Sequence, residues 1–276
     1  MHTQLAQAVQ DTPQAQRAYQ IIRSCVHCGF CNATCPTYRL LGDELDGPRG
    51  RIYIIKQALE GHAVSMHSLE HLDRCLSCQA CETTCPSGVQ YTHLLDIGRA
   101  LLSSQVKRSV WQQIKRRSLN YLLPRRTLFH SLYQLGRFFR PLLPGVFKKH
   151  IPNSAKIIHW PEIRHQERVA IFTGCVQSTL APQINAATAQ VLDKLSISSV
   201  PTRSNSCCGA LSFHLNENQA ALQWIKRNID EWWLLLESGI KNIIFTASGC
   251  GVFIKQYASL LSDDPDYAHK AERILA

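Results

Sequence analysis

The chain has 276 residues, of which 45% are hydrophobic, enough for two domains and at least one sizeable core, and its formal net charge is +10. Charge or glycine interrupts every apolar stretch well short of the roughly 18 residues of a membrane span, and the N-terminus MHTQLAQAVQDTPQAQ lacks the apolar region of a secretory signal, so neither a transmembrane helix nor an export signal is expected. The basicity sits in one place: Lys107 to Arg168 holds fourteen Lys and Arg against Glu162 and Glu167, a net of +12, which leaves −2 for the rest of the chain.

Without an export signal, the twelve cysteines are expected in a reducing cytoplasm, where dense cysteine signals metal binding or catalysis rather than disulfides. The first run is CVHCGFCNATCP, with Cys25, Cys28, Cys31, Cys35 and Pro36. The second, CLSCQACETTCP, carries Cys75, Cys78, Cys81, Cys85 and Pro86. Both read C-x2-C-x2-C-x3-C-P, an internal repeat at a 50-residue offset. Three thiolates at this spacing let one turn of backbone wrap three corners of a [4Fe-4S] cubane, while the fourth cysteine points away and ligates the other cluster. The expected ligand sets are therefore Cys25, Cys28, Cys31 and Cys85 for one cluster, and Cys75, Cys78, Cys81 and Cys35 for the second. Structural zinc sites take paired C-x2-C elements and gain nothing from a third cysteine or a trailing proline.

Between the runs, GPRGRIYIIKQALEG predicts a helix with Pro48 in its first turn, Ile52, Ile55 and Leu59 on one face, and Gly61 as its stop. An insert of this length points to a mostly helical two-cluster domain. Arg49 and Arg51 allow two readings, cations that favour a reduced cluster or a solvated first turn. His27 is expected to be a partly exposed residue with no ligand role.

From about Val106 to Ile163 apolar residues alternate with basic ones, and Pro124, Pro141 and Pro144 cut the segment into short helices. Such a segment suits an anionic membrane surface, an acidic partner, or a connector with a solvated basic face. Nucleic acid is not expected as a partner, because basic and aromatic content without a binding module is a weak warrant.

Beyond it, strands alternate with helices. RVAIFTGC, SISSVP and KNIIFTASGC read as short strands, with TLAPQINAATAQVLDKL and NENQAALQWIKRNIDEWWLLLESG as helices between them, the pattern of a parallel α/β layer. Ligands of open α/β sheets bind outside the carboxyl ends of strands, and Cys175, the adjacent pair Cys207 and Cys208, and Cys250 all follow strand ends. A disulfide between neighbours is strained, since their alpha carbons lie about 3.8 Å apart where disulfides want roughly 4.4 to 6.8 Å. The four cysteines are thus a candidate third cluster site, with a reactive thiol pair at Cys207 and Cys208 as the competing reading. Trp224, Trp232 and Trp233 are expected to pack, with Lys226 and Arg227 as surface charges.

The fold class expected is α+β in two domains. The boundaries expected are 1–106 for the helical two-cluster domain, 107–166 for a basic amphipathic connector, and 167–276 for a cysteine-rich α/β domain with a short parallel sheet.

The paired runs, the stretch CVHCGFCNATCPTYRLLGDELDGPRGRIYIIKQ and the later C-x31-CCG-x40-C resemble the iron-sulfur subunits of glycolate oxidase, also called glycolate dehydrogenase. The resemblance implies an electron-transfer subunit that takes electrons from flavin-bearing subunits oxidising glycolate to glyoxylate and passes them toward a membrane quinone-type acceptor, from a position on the inner face of the membrane. Related plans serve other 2-hydroxy acids, glycerol-3-phosphate and heterodisulfides, and a metal-stabilised nucleic-acid-binding module is the alternative of another class. Two departures stand out. The family's cysteine-rich domain opens a C-x2-C pair at the last cysteine, where this chain has CGVF with Phe253, leaving four thiols for an ordinary cubane. Family members also continue into a second such domain, whereas this chain stops at AHKAERILA.

Overall fold

The computed structural model describes residues 1–142, 159–202 and 207–275, which group into two compact units, 1–113 and 114–276. The stretch 143–158 of the basic segment, including Pro144, and residues 203–206 ahead of Cys207 lie outside the described residues.

The first unit is helical throughout. Helix α1 (Pro13–Ser24) starts where the Thr12 hydroxyl accepts from the Ala15 N–H, and it buries Ala15, Ala18 and Ile22 at helical spacing before stopping at Cys25. Two short helices follow, α2 (Phe30–Thr34) and α3 (Pro36–Leu41). Helix α4 (Pro48–Leu59) has proline in its first turn, and its buried Ile52, Ile55 and Leu59 form the expected face. A capping box of Ser65 and Ser68 opens α5 (Met66–Asp73). The short α6 (Ala80–Thr83) and the long α7 (Tyr91–Gln105) complete the core. Leu94, Leu95 and Leu102 of α7 are wholly buried among α1, α4 and α5, each contributing about 2 kcal/mol of apolar burial. The close α4 and α7 crossing depends on Gly98, where a β-carbon would stand 2.5 Å from Ile55 Cγ1.

This packing positions the cysteines. Each run begins where a core helix stops, α1 before Cys25 and α5 just before Cys75, and each contains a short helix, α2 or α6, between its second and fourth cysteines, so the 50-residue repeat of the sequence is a repeat of structure. The Thr34 hydroxyl donates to the Ala80 carbonyl at 3.3 Å and joins the two loops directly.

The second unit contains a parallel three-stranded sheet of β1 (Arg168–Phe172), β2 (Ser198–Pro201) and β3 (Ile243–Phe245), in the order β2-β1-β3. Arg168 pairs with Ser198, and Ala170 with Ile243. Central β1 is buried from Val169 to Phe172, as a strand covered on both faces requires. Helix α11 (Pro182–Lys194) follows α10 (Gln177–Leu180) and leads into β2, and α13 (Asn218–Glu237) follows α12 (Ala210–His214). Trp232 of α13 is 1% exposed, edge-on to Phe172 at 5.8 Å and stacked on Tyr257 at 5.9 Å, the packing role expected of it. Trp224 and Trp233 are half-buried and receive Arg227 and Arg273 over their rings. Lys226 is not a bare surface charge, since it pairs with Asp264 at 2.5 Å and lies over the Tyr267 ring.

The basic segment forms α8 (Val110–Leu122) and α9 (Arg126–Phe138), broken at Pro124, and neither helix buries a residue fully. Within the second unit the Ser212 hydroxyl donates to Asn120 Oδ1 of α8 at 2.6 Å. Among the described residues no helix is long and apolar enough to cross a membrane.

Candidate metal centres

The two cysteine loops share an unusual backbone. His27 and Gly29 in the first, and Ser77 and Gln79 in the second, all have positive φ, of 60°, 88°, 52° and 59°. For a non-glycine residue this conformation costs about 1–2 kcal/mol, and such strain collects where function over-determines the chain. Alternation between left- and right-handed residues turns successive N–H groups to one side, the arrangement that suits anionic sulfur. In the second loop the Ser77 N–H points at Cys75 Sγ, 3.5 Å away. His27 itself is exposed, as expected of it.

Cys25, Cys28, Cys31 and Cys85 line one cavity of the first unit, and Cys35, Cys75, Cys78 and Cys81 line a second. The second takes three cysteines from one run and its fourth, Cys35, from the other, and the first takes three from one run with Cys85 and the shared Cys81 from the other. Cys81, Pro48 and Tyr91 line both cavities, so the two adjoin. Burial pushes the Cys31 thiol up to about 11, and the charges of Cys25, Cys28 and Cys85 add to that. Burial likewise raises Cys81, with help from Cys75 and Glu82. Crowded, desolvated thiols that oppose one another's ionisation are a donor set that needs a cationic core to become four thiolates, and soft sulfur donors suit iron-sulfur clusters. The residues present therefore fit the group.

Around the second cavity lies a buried polar network. Arg51 is wholly buried, donating through Nε to the His71 carbonyl at 2.7 Å and through Nη1 to Thr37 Oγ1 at 3.1 Å. Thr37 in turn donates to the Asp46 carbonyl at 2.8 Å and lies 3.2 Å from Cys35 Sγ. Asp46, also buried, receives His71 Nδ1 at 3.0 Å and Arg74 Nη1 at 2.9 Å. Of the two sequence readings of the PRGR arginines, the solvated first turn fails for Arg51. Arg49 is about one-third exposed and paired with Glu44 at 2.5 Å. Thr37, Asp46, His71 and Arg99 were not legible as site residues: they come from four separate elements, and Arg99 reaches the Cys75 carbonyl at 2.9 Å from the middle of α7.

In the second unit the structure brings Cys175, Cys207, Cys208 and Cys250 together. Cys207 exchanges hydrogen bonds with Cys175 and Cys208, and Cys208 with Cys250. The bond from Cys207 and burial push Cys208 up to about 12. Cys175 follows β1 after Gly174 (φ 69°), whereas Cys250 sits in the first turn of α14 (Ser248–Ile254), shortly after Thr246 and the end of β3. The Gly209 N–H points at Cys207 Sγ at 3.4 Å. Phe253, standing where a fifth thiol is expected, is 2% exposed and packs at 5.3 Å from Phe213.

Two supports of this site were missed in the sequence. Asn228 donates to the Cys207 carbonyl at 2.8 Å, and a chain of Gln177, Asn185 and Thr246 links the loop after β1 to the loop after β3. Asn228 did carry a signal, a polar residue on the apolar face of α13 formed by Ile225, Ile229 and Trp232.

Comparison with known proteins agrees with this geometry. Residues 21–89 match the family model described as a 4Fe-4S dicluster domain, and residues 169–255 match the model of a cysteine-rich domain. The chain is 50% identical over 99% of its length to the glycolate oxidase iron-sulfur subunit of Escherichia coli, covering 68% of that protein. It is 31% identical to the probable glycolate oxidase iron-sulfur subunit of Bacillus subtilis, over 90% of this chain and 62% of the relative. A dihydromethanophenazine:CoB–CoM heterodisulfide reductase component from Methanosarcina mazei is 24% identical over 82% of the chain, which spans 55% of it. No solved structure matches. The site and both domains define an iron-sulfur protein of the electron-transfer class. Within that class, the chain belongs to the family of glycolate oxidase iron-sulfur subunits.

Proposed function

We propose that this chain carries electrons within a glycolate-oxidising complex, from flavin-bearing subunits that convert glycolate to glyoxylate toward a membrane quinone-type acceptor. The single observation that supports it most is the crossed set of cysteines, in which each of two adjoining cavities is lined by three cysteines of one run and completed from the other, by Cys85 in the first and Cys35 in the second. In this reading Cys25, Cys28, Cys31 and Cys85 hold one [4Fe-4S] cluster, and Cys75, Cys78, Cys81 and Cys35 hold the other. Cys175, Cys207, Cys208 and Cys250 hold a third. Bound clusters supply one-electron chemistry at reduction potentials set by nearby charge, hydrogen bonds and solvent exposure.

The protein's own residues supply the rest. Left-handed Ser77 aims its N–H toward Cys75 Sγ, and Tyr91, whose hydroxyl donates to the same sulfur at 3.7 Å, lines both cavities. The 1–106, 107–166 and 167–276 division assigns the cluster relay, the docking segment and the third site to successive parts of the chain. Helices α8 and α9 present exposed Trp111 and Phe138 among arginines, which suits peripheral attachment to an anionic membrane face.

Copurification from the native source tests the proposal. It predicts a flavoprotein partner and glycolate-dependent reduction of a dye that stops when the clusters are removed. A complex that reduces dye from glycerol-3-phosphate or another 2-hydroxy acid but not from glycolate would overturn the substrate assignment.

A further inference from the structure

The two cavities differ sharply in the charge set against them. Arg51 lines the cavity of Cys35, Cys75, Cys78 and Cys81 and not the other, and its side chain has no exposed surface. Two of its nitrogens are used, by the His71 carbonyl and Thr37. The third, Nη2, has no well-aligned hydrogen bond, although Asp46 Oδ1 lies 3.5 Å away. Asp46 is the buried countercharge here, but it is already engaged by His71 and Arg74. Arg74 is itself 45% exposed and screened by water, so the surplus at this cavity is the buried charge of Arg51, which lines it where Asp46 does not. Arg99, 4% exposed, adds a second buried guanidinium on the same loop, donating to the carbonyls of Leu72 and Cys75.

The cavity of Cys25, Cys28, Cys31 and Cys85 has no such surplus. Its arginine, Arg49, is paired with Glu44, so the pair is neutral, and both side chains are more than a third exposed to water. Water screens an exposed charge far more than a buried one, so equal numbers of arginines would not act equally.

We propose that Arg51 makes the Cys35, Cys75, Cys78 and Cys81 site the electron sink of the pair and so gives the relay a direction, from the first site to the second. The inference rests on the two-cluster reading above. One electron, delivered by a reduced flavin of the partner, leaves the first site as it enters the second. No proton and no bond to sulfur is exchanged. Arg51 favours the extra negative charge, while Arg49, cancelled by Glu44, is indifferent to it.

The test is a redox titration of the full chain, purified anaerobically and followed by the electron paramagnetic resonance of its reduced centres. Iron and sulfide are measured first, and fewer than about four irons per chain defeats the two-cluster reading and this inference with it. With both sites filled, they should give two one-electron waves besides any wave that Cys208→Ser removes as the third site's, the higher of the two disturbed by Cys78→Ser and the lower by Cys28→Ser. Arg51→Gln should make reduction of the higher wave at least tenfold less favourable, about 59 mV for one electron, and leave the lower in place. Arg51→Lys should restore it by keeping the charge, and the double variant Arg49→Gln with Glu44→Gln, which removes the neutral pair together, should move neither wave. Filled sites whose potentials ignore Arg51→Gln overturn the inference. Should that variant lose its clusters, the serine variants decide alone, because a higher wave that answers to Cys28→Ser overturns it equally.

Discussion

Tyr257 donates its hydroxyl proton to the backbone carbonyl of Cys208 across 2.7 Å, and the same hydroxyl accepts from Asn228 Nδ2 at 3.1 Å. Asn228 also holds the Cys207 carbonyl. The paired cysteines are therefore held through their backbone by two buried polar side chains, leaving both sulfurs for the site.

Tyr257→Phe removes that donor and leaves a buried carbonyl without its partner. The expected loss is about 1–3 kcal/mol of stability, read as a lower urea midpoint, together with a lower iron content at the third site. Unchanged midpoint and iron would show that the backbone clamp is dispensable.

Cys208→Ser separates ligation from thiol chemistry. As a ligand, its loss should lower iron by roughly four atoms per chain while the two clusters of the first unit persist. Full iron with abolished turnover would instead favour a reactive thiol at this position.

Gly50→Ala tests the wall that carries Asp46. A β-carbon there would lie 2.1 Å from the Glu44 carbonyl oxygen, a backbone atom that cannot step aside cheaply. Overpacking of this kind costs about 1–3 kcal/mol, so a lower melting temperature is expected. Displacement of Asp46 should also make the centre at Cys35 bleach faster in air than that at Cys28.

The pair of Arg164 with Asp193 gives the second unit an acid limit. Hydrogen bonding from Arg164 and then His165 lowers the Asp193 carboxyl below its usual range, despite the opposing effect of burial. A depressed folded value means the contribution is fully present above the unfolded carboxyl's, about 3.9, and is lost as pH falls through the folded value. Asp193→Asn should flatten the decline of the urea midpoint below about pH 4. An unaltered slope would remove the pair from the acid response.

Helices α8 and α9 carry Trp111 at 80% and Phe138 at 78% exposure on a strongly basic segment. Sedimentation with anionic lipid vesicles should carry the chain down at low salt and release it as salt rises, with Trp111→Ala and Arg125→Glu each weakening the association. Equal binding to neutral vesicles would contradict an electrostatic attachment.

The helical unit, the parallel sheet and the grouping of the cysteines were legible because each rests on a short-range pattern. Pro48, Ile52, Ile55 and Leu59 mark α4 by spacing, and the strand ends collect Cys175, Cys207, Cys208 and Cys250 by a rule of topology. Arg51 was ambiguous for a physical reason. Helical position alone leaves open whether an arginine two residues after Arg49 is exposed, and its burial is decided by Thr37, Asp46 and His71 from elements up to 20 residues away in sequence. The left-handed residues of the loops were not read from the sequence, because Gly29 is the one glycine among them and Gln79 takes the same conformation without one.

The central claim is that the chain is an iron-sulfur electron carrier, and metal analysis of the anaerobically purified protein tests it most directly. Two clusters predict about eight irons and eight sulfides per chain with absorbance that dithionite bleaches, and a filled third site raises both toward twelve. Fewer than about four irons with stoichiometric zinc, and no response to dithionite, would contradict it.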